Sequence, residues 1–409
     1  MNIVLEPGAA ALLDELHRAG FGAYAVGGCV RDSLLGLAPH DWDLCTAARP
    51  GQVMELFGED RCIPTGLQHG TVTVKRDGKL YEITTFRTEG RYSDGRHPDS
   101  VAFVPDLRED LARRDFTINA MAYSAEEGLC DPFGGREDLA RGVVRAVGEP
   151  LRRFGEDALR ILRLYRFAAR FGFAIDEATE AAAKQLASHL DCVSAERIEE
   201  ELNKLLAAPQ PGAYLEPEVL AFVLPELPPE ELTKARRRID ALPAGTEQVS
   251  ARWAALLLPL GETGARKALK RLKCSNARID GAAALVRECG EKTPDAPDRC
   301  ALRLQAKRLL GKYDLHTVQQ LTALWTALAP EEKGSFDALR AEAGALTAQG
   351  ACCRISQLAV NGRDLMAAGA APGPGLRRVL EALLEEVITG RLPNEKTELL
   401  AFAAGFSAS

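Results

Sequence analysis

The spacing of hydrophobic positions changes once along this 409-residue chain, near residue 140. Before that point, short alternating runs mix with helical spacing. Leu12, Leu13 and Leu16 share one face of a helix over residues 12–18. Ala23–Val26 predicts a short strand that stops at Gly27-Gly28. Residues 41–46 predict a second strand, and Pro50–Phe57 a helix. Residues 71–75 and 81–86 alternate and are rich in β-branched side chains. Asp77-Gly78 lies between them and predicts a hairpin turn. Residues 87–105 gather glycines, prolines and charges, and predict a mobile loop. Asn119 to Tyr123 predicts a helical segment. Beyond residue 140 strand signals disappear. Ala/Leu/Glu/Arg helices take over, punctuated at 209–212, 225–229, 243–245, 293–297 and 372–374. The pattern predicts an α+β chain: a mixed head followed by an all-helical remainder.

Composition narrows the class. Apolar residues make up 46% and charged residues 27%, as in a globular protein. No apolar run approaches the length of a membrane span; the run beginning at Ala254 meets Pro259 and then Gly261. The first twenty residues carry acids and an arginine in an amphipathic pattern, unlike a secretory leader. Ten cysteines lie scattered without C-x-x-C pairing, so reduced thiols in a cytoplasm are expected and a zinc site is not. The net charge of −7 argues against a protein coated in nucleic acid. Residues 136–170 differ, with nine arginines against five acids, a net of +4. That is enough for a local basic groove or for a salt-bridged helical surface.

Candidate chemistry starts at Gly27-Gly28-Cys29-Val30-Arg31-Asp32, followed by Asp41-Trp42-Asp43. On a strand, residues two apart share a face, so Asp41 and Asp43 would offer two hard oxygen ligands side by side. Such a pair suits Mg²⁺, which combines a few carboxylates with water and substrate phosphates. A Gly-Gly turn lets backbone N–H groups approach phosphate oxygens. Glu82 lies on the alternating run 81–86 and becomes a third carboxylate if that strand pairs beside the first. Arg113-Arg114 precede Asp115-Phe116-Thr117-Ile118-Asn119-Ala120 and could grip a triphosphate bidentately.

Asp157, Arg160, Arg163 and Arg166 recur every three residues and predict a polar ladder on a helix face, with Ile161, Leu162, Leu164 and Tyr165 covering the other side. An Asp–Arg pair can read a base edge. Cytosine and adenine each present an amino donor beside an unprotonated ring nitrogen, which Asp157 and Arg160 would match. Uracil and guanine present the reverse pattern and would leave buried groups unpaired. Intrahelical salt bridges would produce the same spacing.

These segments, in this order, resemble the class II tRNA nucleotidyltransferases, the family of bacterial CCA-adding enzymes. The matching stretches are Gly27–Asp32 with Asp41-Trp42-Asp43, the 113–120 run, Asp131-Pro132-Phe133-Gly134-Gly135, the 156–160 run and Ala195-Glu196-Arg197-Ile198-Glu199-Glu200-Glu201-Leu202. The tail segment 358–366 is also similar. The resemblance implies a polymerase-β-like head over 1–140, a helical neck with the nucleotide-selecting motif over 141–210, a helical body over 211–330 and a tRNA-binding tail over 331–409. It implies that Asp41 and Asp43 hold Mg²⁺ with Glu82 as a third catalytic carboxylate. It assigns Gly28, Arg31 and Arg114 to the nucleotide's phosphates and sugar, Asp157 and Arg160 to the base, and Arg163 and Arg166 to support of the nucleotide or of the ladder that serves as template. The expected partners are the tRNA 3′ end, CTP and ATP, with neither DNA nor a membrane.

The same superfamily includes poly(A) polymerases. Residues 64–72 here read Pro-Thr-Gly-Leu-Gln-His-Gly-Thr-Val, which resembles the tRNA enzymes. CC-adding members lack part of the loop that spans residues 88–103 here and carries Gly90, Asp94, Gly95, Arg96, His97 and Pro98. That loop is expected to matter more for adding A than C. An A-adding enzyme would keep the same motifs. A non-catalytic RNA-binding protein on this fold would have no need of Asp41, Asp43 and Arg160.

Overall fold

The structure is a computed structural model and describes residues 3–89, 101–290 and 298–405. Its contacts divide the chain into two units. The first comprises Met1–Pro229 with Arg271–Lys273, the second Glu230–Lys270 with Cys274–Ser409.

The first unit begins with α1 (Pro7–Arg18), β1 (Ala23–Val26), α2 (Gly28–Leu34), β2 (Leu44–Thr46), α3 (Pro50–Phe57), β3 (Cys62–Gly66), β4 (Thr71–Arg76) and β5 (Lys79–Thr85). It continues through β6 (Arg87–Glu89), β7 (Val101–Phe103), α4 (Leu107–Ala112), β8 (Ala122–Ser124) and β9 (Gly128–Cys130). Seven strands form one sheet in the order β3-β4-β5-β2-β1-β8-β9. Only β2 and β5 run parallel. Leu12, Leu13 and Leu16 are buried, as the spacing of α1 predicts. Tyr24, Val26, Cys45, Phe86, Leu107 and Leu111 belong to one packed core cluster with Ala120, Ala122 and Val147. That core ties the sheet to α4, the helix that ends at the adjacent arginines. The Asp77-Gly78 turn joins β4 to β5 with positive φ at both residues (50° and 75°), the conformation that Asp-Gly supplies in a two-residue hairpin.

Several expectations are corrected. The second strand starts at Leu44, so Asp41 and Asp43 lie on the segment that leads into it. The register explains this: Ala25 faces Leu44, and the chain then turns away at Gly27, so pairing ends with the Val26 N–H on the Asp43 carbonyl. The segment after the adjacent arginines is a short 3₁₀ turn, Thr117–Asn119, followed by β8 rather than a helix. The ends of the expected loop form an antiparallel ribbon, with Arg87 opposite Phe103 and Thr88 opposite Ala102. Gly90, Asp94, Gly95, Arg96, His97 and Pro98 lie outside the described residues.

The unit closes with α5 (Gly135–Arg141), β10 (Val143–Val144), α6 (Pro150–Glu156), α7 (Leu159–Phe171), β11 (Ala174–Ile175), α8 (Glu177–Gln185), α9 (Ala195–Leu206) and α10 (Pro217–Val223). Strand signals do not vanish wholly after residue 140, because β10 and β11 pair in parallel over two residues. The expected single helix through residues 156–166 is broken. Asp157 has extended backbone (φ −146°, ψ 104°), and its Oδ1 accepts from the Leu159 N–H at 3.1 Å. Aspartate bonding to a nearby N–H competes with helix continuation and starts the next helix instead.

The second unit is helical throughout its described residues. It runs from α11 (Pro229–Asp240) through α12 (Val249–Leu257), α13 (Gly261–Arg271), α14 (Asn276–Gly290), α15 (Arg299–Lys312), α16 (Leu315–Leu328), α17 (Lys333–Ala348), α18 (Gly362–Ala367) and α19 (Gly375–Thr389) to α20 (Lys396–Ala404). Leu358, Val360, Leu365, Leu383, Val387 and Leu399 form the core of its last portion. Among the described residues no helix is long and apolar enough to cross a membrane. All ten cysteines are free thiols.

Candidate active site

Asp43 and Glu82 come together at the head of the parallel pair, with Asp41 on the segment that leads into it. The Val26 N–H donates to the Asp43 carbonyl at 3.0 Å, which anchors the segment before β2. Leu44 lies opposite Ile83, so one step further along the register Asp43 comes beside Glu82. The Asp43 carboxyl is pushed upward from its ordinary value, first by partial desolvation among its neighbours and then by the charges of Glu82 and Asp41; Arg114 opposes the shift. The Asp41 side chain is 84% exposed and meets His40 Nδ1 at 3.1 Å. Glu82 is exposed as well. Among the described residues, no three His, Cys, Asp or Glu side chains converge into a ready metal cage.

Beside the carboxylates lies the glycine turn. Gly27 has φ 79° and donates its N–H to the Met121 carbonyl at 3.0 Å. A Cβ at Gly27 would come within 2.8 Å of Arg114 Nη1, so the missing side chain lets the guanidinium pack against the turn. Gly28 opens α2, with Arg31 Nη2 as its nearest neighbour. Arg114 is held from behind by buried Asp110, whose Oδ2 accepts from Nη2 at 3.4 Å. Asp110 Oδ1 accepts from Arg113 Nε at 2.9 Å and Nη2 at 2.8 Å. One fully buried carboxylate thus sets both adjacent arginines.

The Asp131–Gly135 turn braces this region. Asp131 accepts from the Gly135 and Arg136 N–H groups at 2.7 and 2.8 Å. A Cβ on Gly135 would stand 2.2 Å from the Thr117 carbonyl oxygen, so only glycine fits against the 3₁₀ turn.

Arg31 is buried beneath the glycine turn. Its Nε donates to Asp32 at 2.8 Å and its Nη1 to Asn119 Oδ1 at 2.5 Å. The guanidinium carbon lies 5.2 Å from the Phe167 ring centre and 4.9 Å from that of Phe171. Asn119 passes the contact on by donating to Asp115 at 3.0 Å. Burial alone would raise the Asp115 carboxyl. The Arg163 charge and the bonds from Asn119 and Arg163 reverse that and hold it well below the usual carboxylate range.

The arginine ladder faces this network. Arg163 Nε donates to Asp115 at 2.9 Å and Arg166 Nε meets Glu201 at 2.5 Å. Arg166 also stacks 3.9 Å above the Phe167 ring centre. Asp157 and Arg160 do not pair with each other. Asp157 Oδ2 accepts from Arg197 Nη2 at 2.8 Å. Arg160 Nη1 donates to Glu156 at 2.9 Å and to the Arg153 carbonyl at 3.1 Å, and its Nη2 to the Arg113 carbonyl at 3.2 Å. These bonds leave Arg160 its Nε–H and one Nη2 hydrogen. Asp157 keeps acceptor capacity on both oxygens. Each half of the pair is oriented by a separate partner and retains groups to offer a base.

Comparison with known proteins agrees with this layout. Residues 23–145 match the model of the poly A polymerase head domain, and residues 172–228 that of the probable RNA- and SrmB-binding site of polymerase A. Residues 245–403 match domain 2 of the tRNA nucleotidyltransferases. The CCA-adding enzyme of Limosilactobacillus fermentum is 38% identical over 408 residues, covering 96% of this chain and 95% of the relative. The chain belongs to the CCA-adding enzyme family. The CCA-adding enzyme of Geobacillus stearothermophilus is likewise 38% identical over 403 residues, covering 96% of this chain and 95% of that protein. The crystal structure of the Bacillus stearothermophilus CCA-adding enzyme in complex with CTP superposes with a TM-score of 0.81 at 33% identity, covering 99% of this chain and 98% of that one. The Thermotoga maritima CCA-adding enzyme complexed with tRNA shares the fold, with a TM-score of 0.68 at 23% identity over 98% of this chain and 96% of that one.

As a member of this nucleotidyltransferase family the chain is metal-dependent, and its donor set fits a hard cation. Asp41, Asp43 and Glu82 offer carboxylate oxygens only, and Asp43 feels repulsion from the other two that Arg114 opposes. Such a site leaves positions for water and phosphate. Sequence reasoning missed the partners that hold these side chains in place: Asp110, Asp115, Asn119, Arg197 and Glu201. Asp110 had a signal, because it stands three and four residues before Arg113 and Arg114. Asp115 and Glu201 pair with arginines that lie far along the chain, which no local spacing reveals.

Proposed function

We propose that this protein adds C, C and A to the 3′ end of tRNA from CTP and ATP without a nucleic-acid template, releasing pyrophosphate at each step. The observation that carries this reading is the likeness to CCA-adding enzymes over 96% of the chain. The tRNA 3′-hydroxyl attacks the α-phosphorus, the bond to the bridging oxygen breaks, and pyrophosphate leaves with the electron pair. The Gly27-Gly28 turn and Arg114 grip the triphosphate. Arg31 supports the turn from beneath through Asp32 and Asn119. Asp157 accepts from the amino group of C or A while Arg160 donates to the neighbouring ring nitrogen. Arg163 and Arg166 hold the floor of the base pocket through Asp115 and Glu201.

Asp41, Asp43 and Glu82 would hold Mg²⁺, which when bound supplies charge stabilisation on the reacting phosphate and the leaving group. The helical remainder, as neck, body and tail, carries the tRNA. The site of action is the cytoplasm, where free thiols stay reduced.

The test is sequencing of the 3′ ends after incubation with Mg²⁺, CTP and ATP and three tRNAs: one lacking CCA, one ending in CC and one intact. The first should gain CCA, the second A and the third nothing. Extension of only the CC-ended tRNA would make this an A-adding enzyme. Arrest of the first tRNA after CC would make it a CC-adding one.

A further inference from the structure

Arg153 stands where the head meets the base reader, and neither the motif spacing nor the reaction scheme assigns it a role. It lies on α6 and is buried. Its Nη2 donates to the Ala112 carbonyl at 2.7 Å and its Nη1 to the Arg113 carbonyl at 3.2 Å. Those are the last carbonyls of α4, which have no partner within a helix and attract a cation. The next residue in the chain is Arg114, which packs on the glycine turn. On its other side, Arg153 Nη1 donates to Glu156 Oε2 at 2.7 Å. The same oxygen accepts from Arg160 Nη1 at 2.9 Å, and Arg160 returns to the Arg113 carbonyl. Arg153 Nε donates to the Val147 carbonyl at 3.3 Å.

We propose that Arg153 is a positioning residue that locks the phosphate-gripping end of α4 to the base-reading Arg160 through Glu156, so that grip on the triphosphate and choice of base depend on one joint. A planar guanidinium fork suits this task because it meets the α4 carbonyls and the Glu156 carboxylate in fixed directions at once. Lysine, a single flexible ammonium, cannot reproduce the fork. A displacement of about 1 Å at such a joint reaches both ends of the bound nucleotide, and errors of that size cost catalysis heavily. The inference rests on the assignment of Arg114 to phosphate and Arg160 to the base.

The experiment is steady-state kinetics of Arg153→Lys beside Arg114→Lys and Arg160→Lys. CTP and UTP are compared on tRNA lacking CCA, and melting temperature is recorded for each variant. Arg114→Lys should raise the KM for CTP and leave the CTP-to-UTP preference unchanged. Arg160→Lys should lower the preference. Arg153→Lys should do both, each by about tenfold, while still melting cooperatively. If the two reference variants behave so and Arg153→Lys alters only one parameter, or only the melting temperature, the coupling is overturned. If Arg160→Lys leaves the preference intact, the base-reading assignment itself fails. Should Arg153→Lys not fold, Glu156→Gln weakens the carboxylate bridge between Arg153 and Arg160 and leaves the bonds from Arg153 to the α4 carbonyls in place. The preference must then fall with KM held, and an unchanged preference overturns the proposal.

Discussion

The carboxylate corner of this site and the corner proposed to read the base are built in opposite ways. Asp41, Asp43 and Glu82 stand exposed at the sheet's end, with like charges facing each other. Arg160, Arg163 and Arg166 are each paired with a carboxylate, and Arg163 and Arg166 also pack on the Phe167 ring. On the proposed assignment a cation and a triphosphate complete the first region, whereas the arginines of the second already have their carboxylate partners. Phosphate chemistry is the same for every nucleotide, so its ligands can be supplied by whatever binds. Base choice requires donors and acceptors fixed in advance, because a group that could swing would satisfy the wrong base as well.

The sharpest way to break this contrast is to remove a carboxylate. Asp41→Ala or Asp43→Ala should reduce transfer of both C and A by about a thousandfold or more. The melting temperature should stay near the parent's, and tRNA binding measured by filter retention should persist. Near-parental rates in either variant would remove these residues from the metal site. The neck should respond in the other currency, stability. Asp115→Asn leaves half-buried Arg163 beside a neutral partner and should cost about 2 kcal/mol in denaturant unfolding.

The same variant has a pH signature. The Asp115 carboxyl is held below its usual range in the folded protein. Its contribution is therefore fully present above the unfolded-state value of about 3.9 and is lost as pH falls through the folded value. The parent's unfolding free energy should fall more steeply than that of Asp115→Asn as pH drops below about 4. Parallel curves would contradict the pairing. A smaller effect is expected from Arg197→Ala, which frees Asp157 to reorient. The preference for CTP over UTP should drop by about tenfold with little change in KM for CTP. An unaltered preference would show that Asp157 is held by something else.

Much of this was legible in the chain, and the reasons are local. The Asp77-Gly78 hairpin follows from turn chemistry, and the buried leucines of α1 from their spacing. The parallel neighbours β2 and β5 bring Asp43 and Glu82 together as the paired-strand expectation required. The helix break at Asp157 was not legible, because the arginine periodicity on either side reads as one helix. Arg31 was expected at the phosphates, and the structure sets it on the Phe167 and Phe171 rings, which come from a helix more than a hundred residues later. The spacing revealed the arginine ladder but not its partners. Asp115, Arg197 and Glu201 reach it through tertiary packing, to which hydrophobic periodicity is blind.

The central claim is that the protein, through Arg160 set beforehand by Glu156 and the Arg113 carbonyl, chooses the base. Its most direct test is to incubate tRNA lacking CCA with an equal mixture of all four nucleoside triphosphates and to sequence the 3′ ends made by the parent and by Arg160→Lys. The parent should yield CCA ends alone. The variant should yield ends containing U and G, at about a hundred times the parent's frequency. A variant that still makes only CCA ends, merely more slowly, would contradict the account and return Arg160 to the role of a structural salt bridge.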